Sequence, residues 1–321
     1  MTHRDVLVMG ETLIDFLPDS SGSLSTVESF ERRAGGAPAN VAVALSRLGV
    51  DPWFWTRVGE DPFGQFLADV LDAEGVTDRF VERDPAAKTS LAFVSHDEAA
   101  DRAFTFYRHE TADTRFEPGA VPDDVLDAVS WVHVGGLTLA DEPARMATLD
   151  LVERARDRDC LVSFDPNARP ELWSSREAFA DAVAELLPLA DVVKATPEDL
   201  REAGLTGTPS ALAEAVCERG PHTALLTLGR DGALARATAD APWAAGTVTH
   251  PGYAATAVDT TGAGDAFTAG VVAALAAGET SLDSALGFAN AVAALTTTAP
   301  GAMTALPDRT AVREFRARQT E

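Results

Sequence analysis

Apolar residues recur in two rhythms, short solid runs and longer stretches with a helical period. Residues 5–9 form an apolar run closed by Gly10, which predicts a buried strand. Residues 39–48 predict a helix stopped by Gly49, 52–58 a strand, and 62–73 a helix with Gly75 as its stop. The alternation continues through strands at 131–134, 161–164, 191–193 and 224–228 and helices at 145–158 and 176–187. Two apolar helices, 266–276 and 282–296, close the series. Such alternation predicts an α/β fold, a doubly wound and mostly parallel sheet with helices on both faces. Two stretches break it. Residues 12–31 and 88–108 carry strand-like pieces (13–17, 90–95 and 103–107) with no helix between them. They are expected to form a small β-sheet lid on a body made of 1–11, 32–87 and 109–321.

Composition narrows the class. A length of 321 residues fits about two domains or one α/β domain with an insertion, and 46% apolar residues exclude global disorder. No run reaches the roughly 18 apolar residues of a membrane span, and residues 1–10 lack a signal-peptide layout, so a cytoplasmic protein is expected. Cys160 and Cys217 are too few for a disulfide framework or a zinc ribbon. Fifty acidic against 26 basic residues give a net charge of −24, with Lys88 and Lys194 the two lysines. That field repels phosphate backbones and anionic lipid, so neither nucleic acid nor membrane is an expected partner. The acids are spread along the chain as on halophilic surfaces, which makes halophily an expectation about habitat.

The candidate chemistry sits in glycine-rich turns. Gly262, Ala263, Gly264 and Asp265 follow Asp259-Thr260-Thr261 and open a predicted helix. Small residues let a ligand approach, and the first helical turn offers unpaired N–H groups to an anion. The helix dipole is expected to keep Asp265 ionised, able to take a proton from a hydroxyl that attacks phosphorus. The alternative is a glycine-rich turn with an ordinary first-turn acid. Gly35-Gly36-Ala37-Pro38-Ala39-Asn40 precedes a second helix and suits close approach of a polyol, or is simply a tight turn. Asp165-Pro166-Asn167-Ala168-Arg169 follows the 161–164 strand, where ligands of open parallel sheets collect, though the same residues suit a turn. Residues 227–232 (TLGRDG) hold the same position after 224–226, with a hairpin turn as the alternative. Several matches fail. His3-Arg4-Asp5 imitates a kinase catalytic loop without its downstream Asn, and Lys88-Thr89 lacks the glycines of a P-loop. Phe267 replaces the third glycine of a dinucleotide fingerprint, and the six histidines fit no metal-ligand spacing.

Together these motifs resemble the ribokinase-like (phosphofructokinase-B type) carbohydrate kinases, and within them the fructokinase branch, over nearly the whole chain. GETLIDF (10–16) is similar to the family's opening strand, GGAPANVAVALSRL (35–48) to its first signature and DTTGAGDAFTAG (259–270) to its second. FYR (106–108), DPNARPELW (165–173) and FANAVAALTTTAPGAMTALP (288–307) resemble the fructokinase branch. The resemblance implies transfer of the ATP γ-phosphoryl group to a sugar hydroxymethyl. It implies Asp265 as base, with the amides of Ala263, Gly264 and Asp265 as an anion hole after Gly262. Asp15, Gly35, Gly36, Asn40, Phe106, Arg108, Asn167 and Arg169 would meet the sugar. Lys194, Thr196, Asp199, Thr227, Gly229, Gly232, Gly264 and Asn290 would flank ATP. Backbone oxygens of Asp259 and Thr261 would bind an activating monovalent cation such as K+, and Mg2+ would arrive with ATP. The family's Asn-x-x-Glu segment stands here as Thr196-Pro197-Glu198-Asp199, leaving either Glu198 or Asp199 to organise Mg-ATP. Lids of this family often pair edge to edge, so a homodimer through the lid is expected. A 2-keto-3-deoxygluconate kinase is the alternative, but its branch tends to carry two tyrosines before the first arginine where Phe106-Tyr107 has one. A sugar-binding regulator would not need an intact Asp265, and the broken glycine pattern disfavours hydride transfer.

Overall fold

The computed structural model describes residues 5–20, 22–96 and 102–319; His3, Arg4 and residues 97–101 of the segments considered above lie outside them. The chain enters through β1 (Val6–Met9), then leaves for β2 (Leu13–Pro18) and β3 (Phe30–Gly35). It returns through α1 (Ala37–Arg47), β4 (Pro52–Gly59), α2 (Pro62–Ala73) and β5 (Val81–Asp84), and departs again for β6 (Leu91–His96) and β7 (Arg102–Tyr107). The second wing holds α3 (Asp123–Leu126), β8 (Trp131–Gly135), α4 (Ala144–Arg156), β9 (Leu161–Asp165), α5 (Arg176–Leu186) and β10 (Val192–Ala195). It continues with α6 (Pro197–Glu202), α7 (Pro209–Cys217), β11 (Thr223–Thr227), β12 (Ala233–Ala237) and β13 (Gly246–His250). Helices α8 (Ala263–Ala276), α9 (Leu282–Thr296) and α10 (Arg309–Gln319) follow.

Among the described residues the main sheet has the order β13-β12-β11-β10-β9-β8-β1-β4-β5. Neighbours from β5 to β11 run parallel, and β12 and β13 extend the sheet antiparallel. Alternation along β1 divides the core. Val6 and Val8 pack with Val41, Phe267 and Leu286 on one face, while Leu7 and Met9 pack with Leu151, Phe179 and Leu212 on the other. Helix starts follow local chemistry. Asp61 accepts the amides of Phe63 and Gly64, and Ser175, Thr208 and Ser281 accept one amide each. The strand order reverses at β1, so a crevice opens beyond the carboxyl ends of β1 and β8. No helix among the described residues is long and apolar enough to cross a membrane.

The small sheet has the order β3-β2-β6-β7. Its β3 runs to Gly35, past residue 31 where the sequence pattern ends the small unit, because Leu13 to Pro18 pair residue by residue with Gly35 to Phe30. Residues alternate across it. Asp15, Phe104 and Phe106 face the crevice, and Phe16, Phe93 and Tyr107 make ring contacts with one another, Phe16 stacking on Phe93 at 4.8 Å. In the main sheet, Thr227 pairs with Ala233, so 228–232 is a five-residue hairpin loop with a 3-10 turn at 229–231 in place of a two-residue type I′ or II′ turn, and Gly229 and Gly232 line a pocket.

Candidate active site

Helix α8 begins where two pockets meet. Gly262 precedes it at φ 76°, the left-handed region, and a Cβ there would lie 2.7 Å from the Ala302 Cβ. The amide of Ala263 donates to the Thr260 carbonyl at 3.3 Å. That leaves Gly264 and Asp265, the second and third helical residues, as amides without an intrahelical acceptor. Two amides, rather than the three that the resemblance implies, are thus left free at the helix start. The Asp265 carboxylate accepts the Asn40 side-chain amide at 2.8 Å. Burial pushes the Asp265 carboxyl above its usual range, against Lys194, Asn40 and Arg169, which pull it down. The expectation that the helix dipole decides its charge thus omitted the larger effect, desolvation.

The pocket bordered by the small sheet holds about 90 Å³. Asp15, Gly36, Asn40, Phe106, Asn167, Arg169 and Asp265 line it, together with Thr261 and Gly262. Asn40 arrives there because Gly36, at φ 105°, lets the chain turn into α1; a Cβ on Gly36 would lie 2.5 Å from the Glu11 carbonyl. Gly35 stands behind the wall, where a Cβ would run into the Asp15 carboxylate. Asn40 Oδ1 is buried without a hydrogen-bond partner, an acceptor waiting for a donor. Arg108 does not reach this wall. Its guanidinium is buried and donates to Asp113 at 2.6 Å, to Asp141 at 2.8 Å and to the Leu137 carbonyl at 3.3 Å. These bonds tie Arg108 to the 137 segment.

Across the first turn of α8 lies a pocket of about 520 Å³. Lys194, Thr196, Thr227, Gly229, Gly232, Gly264 and Asn290 all stand on its wall. Ala254, Ala255, Phe267 and Ala293 give it an apolar flank that sequence reasoning did not single out. Asp199 lies behind this wall. It accepts the amide and hydroxyl of Thr196 in a capping box and the amide of Ala168 at 2.9 Å, so its carboxylate ties α6 to the 165–169 loop. Glu198 is exposed and paired with Arg201. Asp259 accepts the amide and hydroxyl of Thr261 and the amide of Gly301, holding the loop before α8 through its side chain. Among the described residues no group of three or more His, Cys, Asp or Glu side chains is arranged to hold a metal ion.

The profile of the pfkB family carbohydrate kinases matches residues 3–309. The chain belongs to that family. It is 38% identical over 309 residues to a fructokinase of Klebsiella pneumoniae, spanning 94% of this chain and 96% of the relative. A fructokinase structure with bound ATP from Xylella fastidiosa superposes with a TM-score of 0.89 at 32% identity, covering 99% of this chain and 100% of that one. A doubly substituted fructokinase from Vibrio cholerae O395 in a fructose, ADP and potassium ion bound form gives 0.84 at 33% identity, covering 98% of each chain.

In this carbohydrate kinase four buried polar groups, Glu11, His133, Asp165 and Lys194, stand around these pockets. Lys194 pairs with Asp165 at 2.8 Å, and its nitrogen lies 3.0 Å from where a Gly264 Cβ would be. Burial lowers the affinity of Lys194 for its proton, but Asp165, Asp199 and Asp265 together hold its pKa above the usual value. Burial raises Asp165 to about 6 despite Lys194. His133 is bonded to Ser163 at 2.9 Å and kept neutral, its pKa lowered to about 3 by burial and by Lys194. Glu11 stands on the wall of the pocket bordered by the small sheet. A lone buried Lys in a chain otherwise supplied with Arg was the available signal for the Lys194–Asp165 pair.

Proposed function

We propose that this kinase transfers the γ-phosphoryl group of ATP to a primary hydroxyl of fructose. One observation carries the reading: Asp265 faces a sugar-sized pocket, and the Gly264 beside it faces a pocket large enough for a nucleotide. Asp265 takes the proton of the acceptor hydroxyl, whose oxygen forms a bond to the γ-phosphorus. The bond from that phosphorus to the β,γ-bridging oxygen breaks, and ADP leaves with the electron pair. The amides of Gly264 and Asp265, with Lys194 beside them, offset the charge on the moving group. Asp15, Asn40, Asn167 and Arg169 hold the sugar, and the small sheet serves as a lid that keeps water from ATP. The engagement of Arg108 supports fructose as the acceptor: a keto-acid carboxylate would want it beside Arg169, and it is bonded to Asp113 and Asp141.

Mg2+ belongs to this reading as the partner of ATP, and Thr196, on the pocket wall, with Asp199 behind it would help to organise Mg-ATP. Potassium belongs to it at the backbone of residues 259 and 261. The ring contacts among Phe16, Phe30, Phe93 and Tyr107, with Tyr107 62% exposed, support a homodimer through the lid. A cytoplasmic location and a halophilic source fit the composition. The test is ATP consumption at high KCl with fructose, 2-keto-3-deoxygluconate, ribose and adenosine in turn. Fructose turnover is expected; turnover with the keto acid alone would reverse the choice of acceptor.

A further inference from the structure

Glu11 is a buried acid that the phosphoryl-transfer step leaves unused. It is 2% exposed and follows Gly10 at the carboxyl end of β1, at the point where the strand order reverses. Its Oε1 accepts the amide of Ala37, the first residue of α1, at 3.1 Å. Its Oε2 is buried with no hydrogen-bond partner, a condition native proteins rarely leave unfilled. Glu11 also lines a narrow cavity of about 10 Å³ that it shares with Ala37, His133, Asp165, Asn167 and Asp265. That volume admits a single water-sized group.

Resting on the sugar-kinase reading, we propose that Glu11 is a positioning residue for the acceptor sugar. It pins the start of α1, and with it Gly36 and Asn40, and its second oxygen anchors the one hydroxylic group that the cavity admits beside the sugar pocket. Burial, more than the charges around it, favours a neutral carboxyl. Arg108 faces it but is already bonded to Asp113 and Asp141, while Asp15, Asp165 and Asp265 stand on the pocket walls and His133 is neutral. Burial accordingly raises Glu11 to about 7, with Asp113 adding to the rise and Arg108 opposing it. A sugar that seals the pocket removes remaining solvent and disfavours the ionised form further. Sugar binding then takes up a proton, so the KM for sugar rises as pH climbs above 7.

The experiment compares the full-length wild type with Glu11→Gln and Glu11→Ala in steady-state assays with fructose and ATP from acid to alkaline pH, alongside thermal midpoints. Wild-type turnover of fructose checks the kinase reading separately. Gln keeps an acceptor for the Ala37 amide and a neutral shape, so its fructose KM should stay within about threefold of the wild-type value at acid pH and lose the pH dependence. Ala should raise the fructose KM about tenfold at every pH while the ATP KM moves by less than about twofold. Equal fructose KM in all three proteins overturns the role, as does a Gln variant that keeps the wild-type pH profile. Both KM values rising together with a lowered midpoint in the Ala variant overturns it as well, since that marks general loosening. A wild type with no fructose turnover overturns the kinase reading, and this role with it.

Discussion

Asp265 is held by three neighbours: the amide of Asn40 and the charges of Lys194 and Arg169. Replacing its carboxylate with an amide keeps the size and leaves an oxygen for Asn40, but removes the proton acceptor. Asp265→Asn should therefore lose about 10²–10⁴ in turnover, while calorimetry finds fructose and ATP still bound. Near-normal turnover in the purified variant would take the base role from it. His133 gives a prediction of a different kind. Its pKa is lowered from 6.5 to about 3, so the folded state binds fewer protons than the unfolded chain between those values. The stability it lends is present above the unfolded value and is lost as pH falls below it. Glu11 and Asp165, raised to about 7 and about 6, act oppositely, losing stability as pH rises, so only a comparison with a variant isolates the histidine. Relative to wild type, His133→Gln should gain about 2 kcal/mol in urea unfolding between pH 7.5 and pH 5. A constant difference across that range would mean that His133 titrates freely.

Helices α8 and α9 pack so closely that Gly270 has no space for a side chain: a Cβ would lie 2.7 Å from the Ala289 Cα. Gly270→Ala must push the two helices apart, at about 1–3 kcal/mol of stability, and because α8 carries Asp265 the turnover should fall with it. An unchanged thermal midpoint and turnover would show that the interface gives way without strain. Elements with solid apolar patterns are the ones legible in the sequence. The pattern at 62–73 and at 282–296 coincides with α2 and α9, and β1, β4 and β8 to β11 fall within two residues of their predicted runs. Elements whose evidence lies elsewhere are not legible. Strand β3 (FERRAG) is polar and exists by pairing with β2, and β12 (ALARA) has helical composition overridden by its hairpin with β11. Helix α10 buries only Val312 and Phe315 on an otherwise polar surface. The site divides the same way. Residues 262–265 carry their chemistry consecutively and can be read directly, as can the glycines before Asn40. The engagement of Arg108 by Asp141, the Lys194–Asp165 pair and the stranded oxygen of Glu11 each depend on burial between segments far apart in the chain. A motif gives the residue; only packing gives its partners.

At the scale of the whole molecule the net charge of −24 sets the problem. Arginines answer it locally, as where Arg57 and Arg115 converge on Asp84 and where Arg154 and Arg158 converge on Asp123. With 26 basic residues against 50 acids, 24 carboxylates remain in excess of the bases, and the compact fold is opposed by its own field. Salt shortens the reach of that field from about 10 Å at 0.1 M to about 3 Å at 1 M, so the thermal midpoint should rise as KCl is added across this range. The same field acts on the substrates unequally. ATP approaches as a polyanion and is repelled by that field, whereas fructose is neutral and feels little. Raising KCl should thus lower the KM for ATP severalfold and leave that for fructose nearly constant, once the thermal gain is separated by assaying well below the midpoint. A sodium or choline salt at equal ionic strength distinguishes screening from a specific cation: screening predicts the same fall in ATP KM with each, while a gain confined to potassium would place the effect at a bound ion. If neither the midpoint nor the ATP KM responds to any of these salts, the acidic surface is not what governs how this kinase folds or how it meets its nucleotide.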